Sequence, residues 1–460
     1  MRKERIAPIV LQFLPLFMLI ALFLISVIGL PHAILYVMDL LNGLVLLFSV
    51  KRLLSSGEKR VRQVTLYLGI FFLYTLLGFV VSGQSILYYL WGLRNTFRFY
   101  AFFLSCLCWL DQEQVPAILR VLELFLYLNV PVCSWQYFLL HLPFDNVCGL
   151  FGNTTEGSGY MNVLLVIVTA WGILRCLRRD ISLRHFTAII FCCVYIAIIS
   201  ELKAYYFELA LIVAAALVLY LLQNRKWSRR LFMAAGICAA GMFFLAVLTV
   251  ALNPPYWSGF FLPDGIWTEV TRESGYSGSG DLNRLTAIPY LMVHIFGGGA
   301  RSLLGLGLGN CDFSVFSFLV TPFYRAYQSL HYTWLHSAFL FLETGFLGLL
   351  LYLGFFALVG RTAWRNQKDP QRERCSVMYN QLALILCVCC VFFLFYNVCL
   401  RTESAYLIFF VLSIPYMQTG PLGGYPHDPE KNSLLLVFRQ KYSRGTAALH
   451  RLLEKILPRL

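Results

Sequence analysis

The sequence predicts an all-α integral membrane protein with about twelve transmembrane helices and one large external loop between the ninth and tenth. Three observations carry this. Hydrophobic residues make up 59% of the 460-residue chain and charged residues only 13%, with mean hydropathy +0.69, and no globular surface covers that much hydrocarbon. Apolar runs long enough to span a bilayer recur along the chain. The basic residues between those runs alternate in density, as loops on two sides of a membrane do.

The runs fall at 7–30, 33–50, 64–83, 86–110, 115–140, 158–176, 185–201, 203–222, 231–252, 337–359, 379–400 and 402–418. The first follows Arg2, Lys3 and Arg5, lacks a small-residue cleavage site and leads at once into a second run, so it reads as an uncleaved helix. With the N-terminus in the cytoplasm, most of the 37 Lys and Arg fall inside, in groups such as Arg175, Arg178, Arg179 and Arg184. Only Lys203, Arg272, Arg284, Arg301, Arg325 and Arg401 fall outside. Both ends are therefore expected in the cytoplasm. The net charge of +14 reports orientation and anionic headgroups rather than nucleic acid.

This divides the chain into helices 1–9 over residues 1–252, a large outer loop over 253–336, helices 10–12 over 337–418 and a basic cytoplasmic tail over 419–460. A loop that long is usually functional. Within it, Ala287–Phe296 and Phe313–Phe323 are apolar enough to lie in the interface or re-enter, and the glycines at 297–299 and at 305, 307 and 309 mark turns. Most of the fourteen cysteines sit inside apolar runs as small hydrophobes. Cys148 and Cys311 fall in outer loops, where a disulfide between them is conceivable, and no spacing resembles a zinc site.

Ionisable residues at membrane depth are costly and mark function by default. Glu343 lies inside an apolar run seven residues after His336, so a helix that includes both sets them on one face. Arg94 and Arg98 are four apart on the fourth run, too deep for both to snorkel cheaply. Glu201 with Lys203, and Arg401 with Glu403, close tight outer hairpins, and an ion pair within each would tie helix ends together. With Arg272, Arg284, Arg301 and His331, nearly all candidates lie on the outer side. Such a cluster suits a substrate with a lipid tail and an anionic head: guanidinium groups grip pyrophosphate, and a base deprotonates a sugar hydroxyl.

Four motifs in order resemble the O-antigen polymerase and O-antigen ligase superfamily. They are Gly149-Leu150-Phe151-Gly152-Asn153, Glu201-Leu202-Lys203-Ala204, Leu306-Gly307-Leu308-Gly309-Asn310, and His336-Ser337 followed by Glu343-Thr344-Gly345-Phe346-Leu347-Gly348. The resemblance covers about residues 145–360. Lys203 stands where ligases more often have Arg. In the ligase-type pattern the histidine lies farther from the glutamate than His336 does; Trp334 occupies that place and His331 lies beyond it. The catalytic histidine therefore stands open between His336 and His331.

The resemblance implies a helical glycosyltransferase of GT-C type, acting on undecaprenyl-pyrophosphate-linked glycan at the outer face of the cytoplasmic membrane. No cofactor or metal is expected. The expected roles are His336, Glu343 or His331 in catalysis and Arg94, Arg98, Lys203 and Arg284 on the pyrophosphate. Glu201, Arg272, Arg301, Arg401 and Asn153 are further candidates. The long aromatic loop favours a polymerase of O-antigen or capsule repeats, with a chain-length regulator and a flippase as candidate partners. A ligase that transfers glycan to lipid A core is the alternative. A flippase is the rival from another class, but it would place its charges at the midplane.

Overall fold

The computed structural model describes residues 2–224, 228–252, 280–369 and 374–417. Among them the chain is helical, without strands. The long helices are α1 (Arg2–Ser26), α2 (Ala33–Ser55), α3 (Lys59–Ser82), α4 (Ile86–Trp109), α5 (Val115–Phe138), α6 (Glu156–Arg178), α7 (Leu183–Ile199), α8 (Ala204–Asn224) and α9 (Arg229–Leu252). Three short helices follow in the loop, α10 (Ala287–His294), α11 (Arg301–Leu304) and α12 (Pro322–Tyr327); then come α13 (His336–Gln367), α14 (Arg374–Tyr396) and α15 (Ala405–Ser413).

Nine of the described helices are long and apolar enough to cross a membrane, so the chain is a multi-pass membrane protein. The helix at 86–109 falls outside that set, and those at 183–199 and 405–416 are shorter. In lipid every backbone group must be paired within the segment, which is why such runs become helices. α6 and α14 form the centre, with 89% and 78% of their most apolar stretches buried, whereas α9 reaches 22% and stands at the rim. Around them, edge-to-face rings lock α4 to α13 and α15: Tyr100 meets Phe355 at 5.0 Å and Phe409 at 5.2 Å, and Phe99 meets Tyr406 at 5.1 Å.

Alternating connections give the bundle two ends. One carries the starts of α2, α4, α6, α8, α13 and α15 and the loop, and is here the loop end. At the opposite end Arg52 donates to the Cys108 carbonyl at 3.2 Å and lies over the Trp109 ring at 3.6 Å. There, too, Glu123 pairs with Arg175 at 2.6 Å. The cysteines among the described residues are all free, Cys148 and Cys311 included, which removes the conceivable disulfide. Cys148 donates instead to the carbonyls of Asp145 and Thr154. Cys311 is buried beneath Tyr332, whose hydroxyl donates to the Cys311 carbonyl at 2.6 Å. Arg272 and the tail 419–460 lie outside the described residues.

Candidate functional site

The site is built on a break in α13. Gly345 has φ 63° and ψ −168° inside the helix, a conformation that glycine adopts at little cost. Breaking the helix there leaves carbonyls without their usual donors, and the glycine turn of the loop supplies new ones. Leu306 N–H donates to the Leu342 carbonyl at 2.8 Å and Gly307 N–H to the Glu343 carbonyl at 3.0 Å. The Tyr74 hydroxyl donates to the Thr344 carbonyl at 2.6 Å. Space forbids side chains at these contacts: a Cβ on Gly345 would stand 2.4 Å from the Leu303 carbonyl, and one on Gly309 would stand 1.9 Å from the Tyr88 carbonyl. The loop is thereby seated on α4 and α13.

Seating the loop delivers Asp312 and Glu343 to a buried charge network at the loop end. Arg401 donates to Asp312 at 2.5 Å, and its guanidinium is 3.7 Å from the second oxygen of Glu343. The first Glu343 oxygen accepts from Gly309 N–H at 2.9 Å. Asp312 also accepts from Asn95 at 2.6 Å. Arg98 bonds Glu403 at 2.8 Å and the Arg401 carbonyl at 3.0 Å, with Asp39 at 3.6 Å. Arg94 pairs with Asp39, its Nε donating at 2.8 Å. Tyr160 and Tyr406 donate to Glu403 and Asp39 at 2.6 and 3.1 Å. Three arginines thus face four carboxylates, which is how buried charge is tolerated. Burial, with Glu343 and Asp312 close by, pushes the Cys311 thiol well up, so it stays protonated beside them.

His336 opens α13 on the same face as Glu343. It is buried, its ring is 5.1 Å from that of Tyr352, and neither ring nitrogen makes a hydrogen bond among the described residues. A buried polar group in that state calls for an explanation. Arg401 lies over the Phe339 ring at 3.7 Å, between His336 and Glu343 along the helix, with its guanidinium 3.7 Å from Glu343. The His336 backbone N–H donates to the Asn397 carbonyl at 3.2 Å, and Arg284 donates to the adjacent Tyr396 carbonyl at 3.0 Å while lying over the Tyr396 ring. The end of α14 therefore brings Arg284 and His336 to neighbouring backbone groups.

Of the residues singled out from sequence, the structure gathers Arg94, Arg98, Arg401 and Glu343 into the network, with His336 and Arg284 beside it. His331 is set apart: it adopts φ 48° in the preceding turn and stacks on the exposed Trp334 at 4.1 Å. Lys203 and Glu201 pair with each other at 3.6 Å, as their spacing suggested. Arg401 and Glu403 do not. Two positions apart in the turn before α15, they diverge, Arg401 toward Asp312 and Glu403 toward Arg98. Arg301 is exposed at the start of α11, and Asn153 sits in a half-buried bend after the turn 149–151 that Gln136 and Asn129 hold. Asp39 and Asp312 went unnoticed in the sequence, although a lone carboxylate in the apolar run of α2 carries the same signal as Glu343.

Among the described residues no set of three His, Cys, Asp or Glu side chains is grouped to hold a metal. A cavity of about 820 Å³ lined by Arg178, Asp180, Lys368 and Asp369 lies at the opposite end, away from the network. Fold and site together define a multi-pass α-helical membrane protein with a buried charge network braced on a broken helix. No family model matches the chain, and no curated protein matches it.

Proposed function

We propose that this protein is a membrane glycosyltransferase that polymerises oligosaccharide repeats carried on undecaprenyl pyrophosphate. In this reading the chain crosses the cytoplasmic membrane twelve times, both termini are cytoplasmic and the loop end faces outward. The observation that carries it is His336: a buried imidazole with neither nitrogen engaged among the described residues, whose backbone N–H bonds the Asn397 carbonyl, next in the chain to the Tyr396 carbonyl that holds Arg284.

The chemistry follows from that arrangement. His336 accepts the proton of an acceptor sugar hydroxyl as the oxygen attacks the anomeric carbon of the donor. The new glycosidic bond forms as the bond to pyrophosphate breaks, and a single displacement inverts the anomeric centre. The leaving pyrophosphate takes the electron pair and is met by Arg284, with Lys203 as a second cation. Arg94 and Arg98, faced by Asp39 and Glu403, also hold the network that fixes Glu343 and Arg401. The test is replacement in cells: His336→Ala and Arg284→Ala abolish surface polymer beyond a single repeat while the protein remains in the membrane. Polymer of normal length from both variants would overturn the reading.

A further inference from the structure

Every carboxylate of the charge network faces an arginine, and Glu123 at the opposite end of the bundle faces Arg175. Glu208 does not. The buried stripe of α8, which packs on α6 and α14, runs through Tyr205, Leu209, Ile212 and Ala216, and Glu208 stands in it fully buried. Asn162 of α6 donates its side-chain amide to one Glu208 oxygen at 2.8 Å. The second Glu208 oxygen and the Asn162 side-chain oxygen are both buried without a hydrogen bond among the described residues.

No ion pair reaches Glu208 among those residues either; Lys203, in the turn before α8, pairs with Glu201. The titratable groups that face it are thiols, Cys389 on α14 and Cys399 in the turn that follows. The Tyr205 hydroxyl, a turn earlier on α8, is engaged with Thr169 at 2.6 Å. A bare carboxylate in such a place is far costlier than a neutralised one.

Turning the Asn162 amide over sets its oxygen against the Glu208 oxygen that it now serves, which relieves nothing. A water donating to both free oxygens satisfies their bonds but leaves the charge. A metal ion takes four or more ligands. The pair offers two free oxygens, and among the described residues no group of three His, Cys, Asp or Glu completes them. A proton on the second Glu208 oxygen removes the charge and gives the Asn162 oxygen a donor at once, because a protonated carboxyl donates through one oxygen and accepts through the other.

We propose that Glu208 and Asn162 form a proton-binding site between α6 and α8, in which Glu208 is a neutral acid joined to the amide by two reciprocal hydrogen bonds. The site lies outside the charge network, although α6 serves both, since Tyr160 on the same helix holds Glu403. It does not depend on the glycosyltransferase reading.

Infrared spectroscopy of the full chain in liposomes at neutral pH tests the site. Wild type is expected to show the carbonyl stretch of a protonated carboxyl that Glu208→Gln lacks. Asn162→Ala is expected to move that band to higher frequency, as loss of a hydrogen bond to the carbonyl does. Identical carboxyl bands in wild type and Glu208→Gln, or a band unmoved in Asn162→Ala, would overturn the proposal; should Asn162→Ala fail to fold, the Glu208→Gln comparison decides. Gln offers the same donor and acceptor as the neutral acid, so Glu208→Gln is expected to melt with wild type. A clear drop in melting temperature, or failure of that variant to accumulate, would show that the negative charge itself is needed and would also overturn the proposal. Thermal stabilisation of wild type by sodium over choline, abolished in Glu208→Gln, would make the bound cation a metal ion and not a proton.

Discussion

Arg401 donates to Asp312 across 2.5 Å, and that one bond ties the turn before α15 to the loop before α13. Both side chains are largely buried, and without Asp312 the Arg401 guanidinium keeps only the Glu343 oxygen 3.7 Å away. Asp312→Ala is expected to destabilise the protein by about 3–5 kcal/mol, the usual consequence of halving a buried pair. Thermal unfolding in detergent reads this directly. A melting temperature unchanged from wild type would mean that the network bears no weight in the fold.

The break at Gly345 makes a second, steric prediction. Gly345→Ala places a methyl 2.4 Å from the Leu303 carbonyl in a positive-φ conformation, so the loop must lift from α13. The cost is about 1–3 kcal/mol from the backbone strain alone, and Glu343 loses the Gly309 N–H. Gly69→Ala, where nothing lies within 4 Å of the added carbon, is the control and shifts stability by no more than about 1 kcal/mol. Comparable melting curves for the two variants would contradict the role given to the break.

Glu403 takes its two oxygens to Arg98 and Tyr160. Tyr160→Phe removes one donor to a charged acceptor while keeping the ring, so a loss of about 1.5–3 kcal/mol is expected. Differential scanning fluorimetry of the reconstituted variant checks it. Stability equal to wild type would show that Arg98 alone satisfies the carboxylate.

The two histidines separate by variant. His336→Ala is expected to lower turnover by about 100-fold or more, as loss of a general base does. His331→Ala, which removes a ring stacked on the exposed Trp334, keeps the chemical step and changes KM at most. Steady-state kinetics on a defined lipid-linked oligosaccharide distinguishes them. The opposite pattern would move the base to His331.

The helices were legible because apolar runs of spanning length have few other solutions in lipid. Arg94, Arg98 and Glu343 were legible for the complementary reason, that charge inside such a run is costly. The partners were not. Arg401 and Glu403 lie two apart, and their nearness in sequence suggested a pair, but the turn sends them to residues about 90 and 300 positions away, Asp312 and Arg98. Asp312 sits in a loop of mixed composition, where a carboxylate carries no depth signal. The break at Gly345 was hidden too, because Glu343-Thr344-Gly345 reads as uninterrupted helix until the loop carbonyls that crowd Gly345 are known.

The proposed formation of glycosidic bonds between lipid-linked repeats is tested by one reconstitution. Purified protein in liposomes is given a defined undecaprenyl-pyrophosphate oligosaccharide, with and without lipid A core, and products are resolved by gel and mass. A ladder of integer repeats without added acceptor, lost in His336→Ala, is the expected result. Glycan found only on lipid A core, or no new glycosidic bond with any of several oligosaccharides, would contradict the polymerase reading.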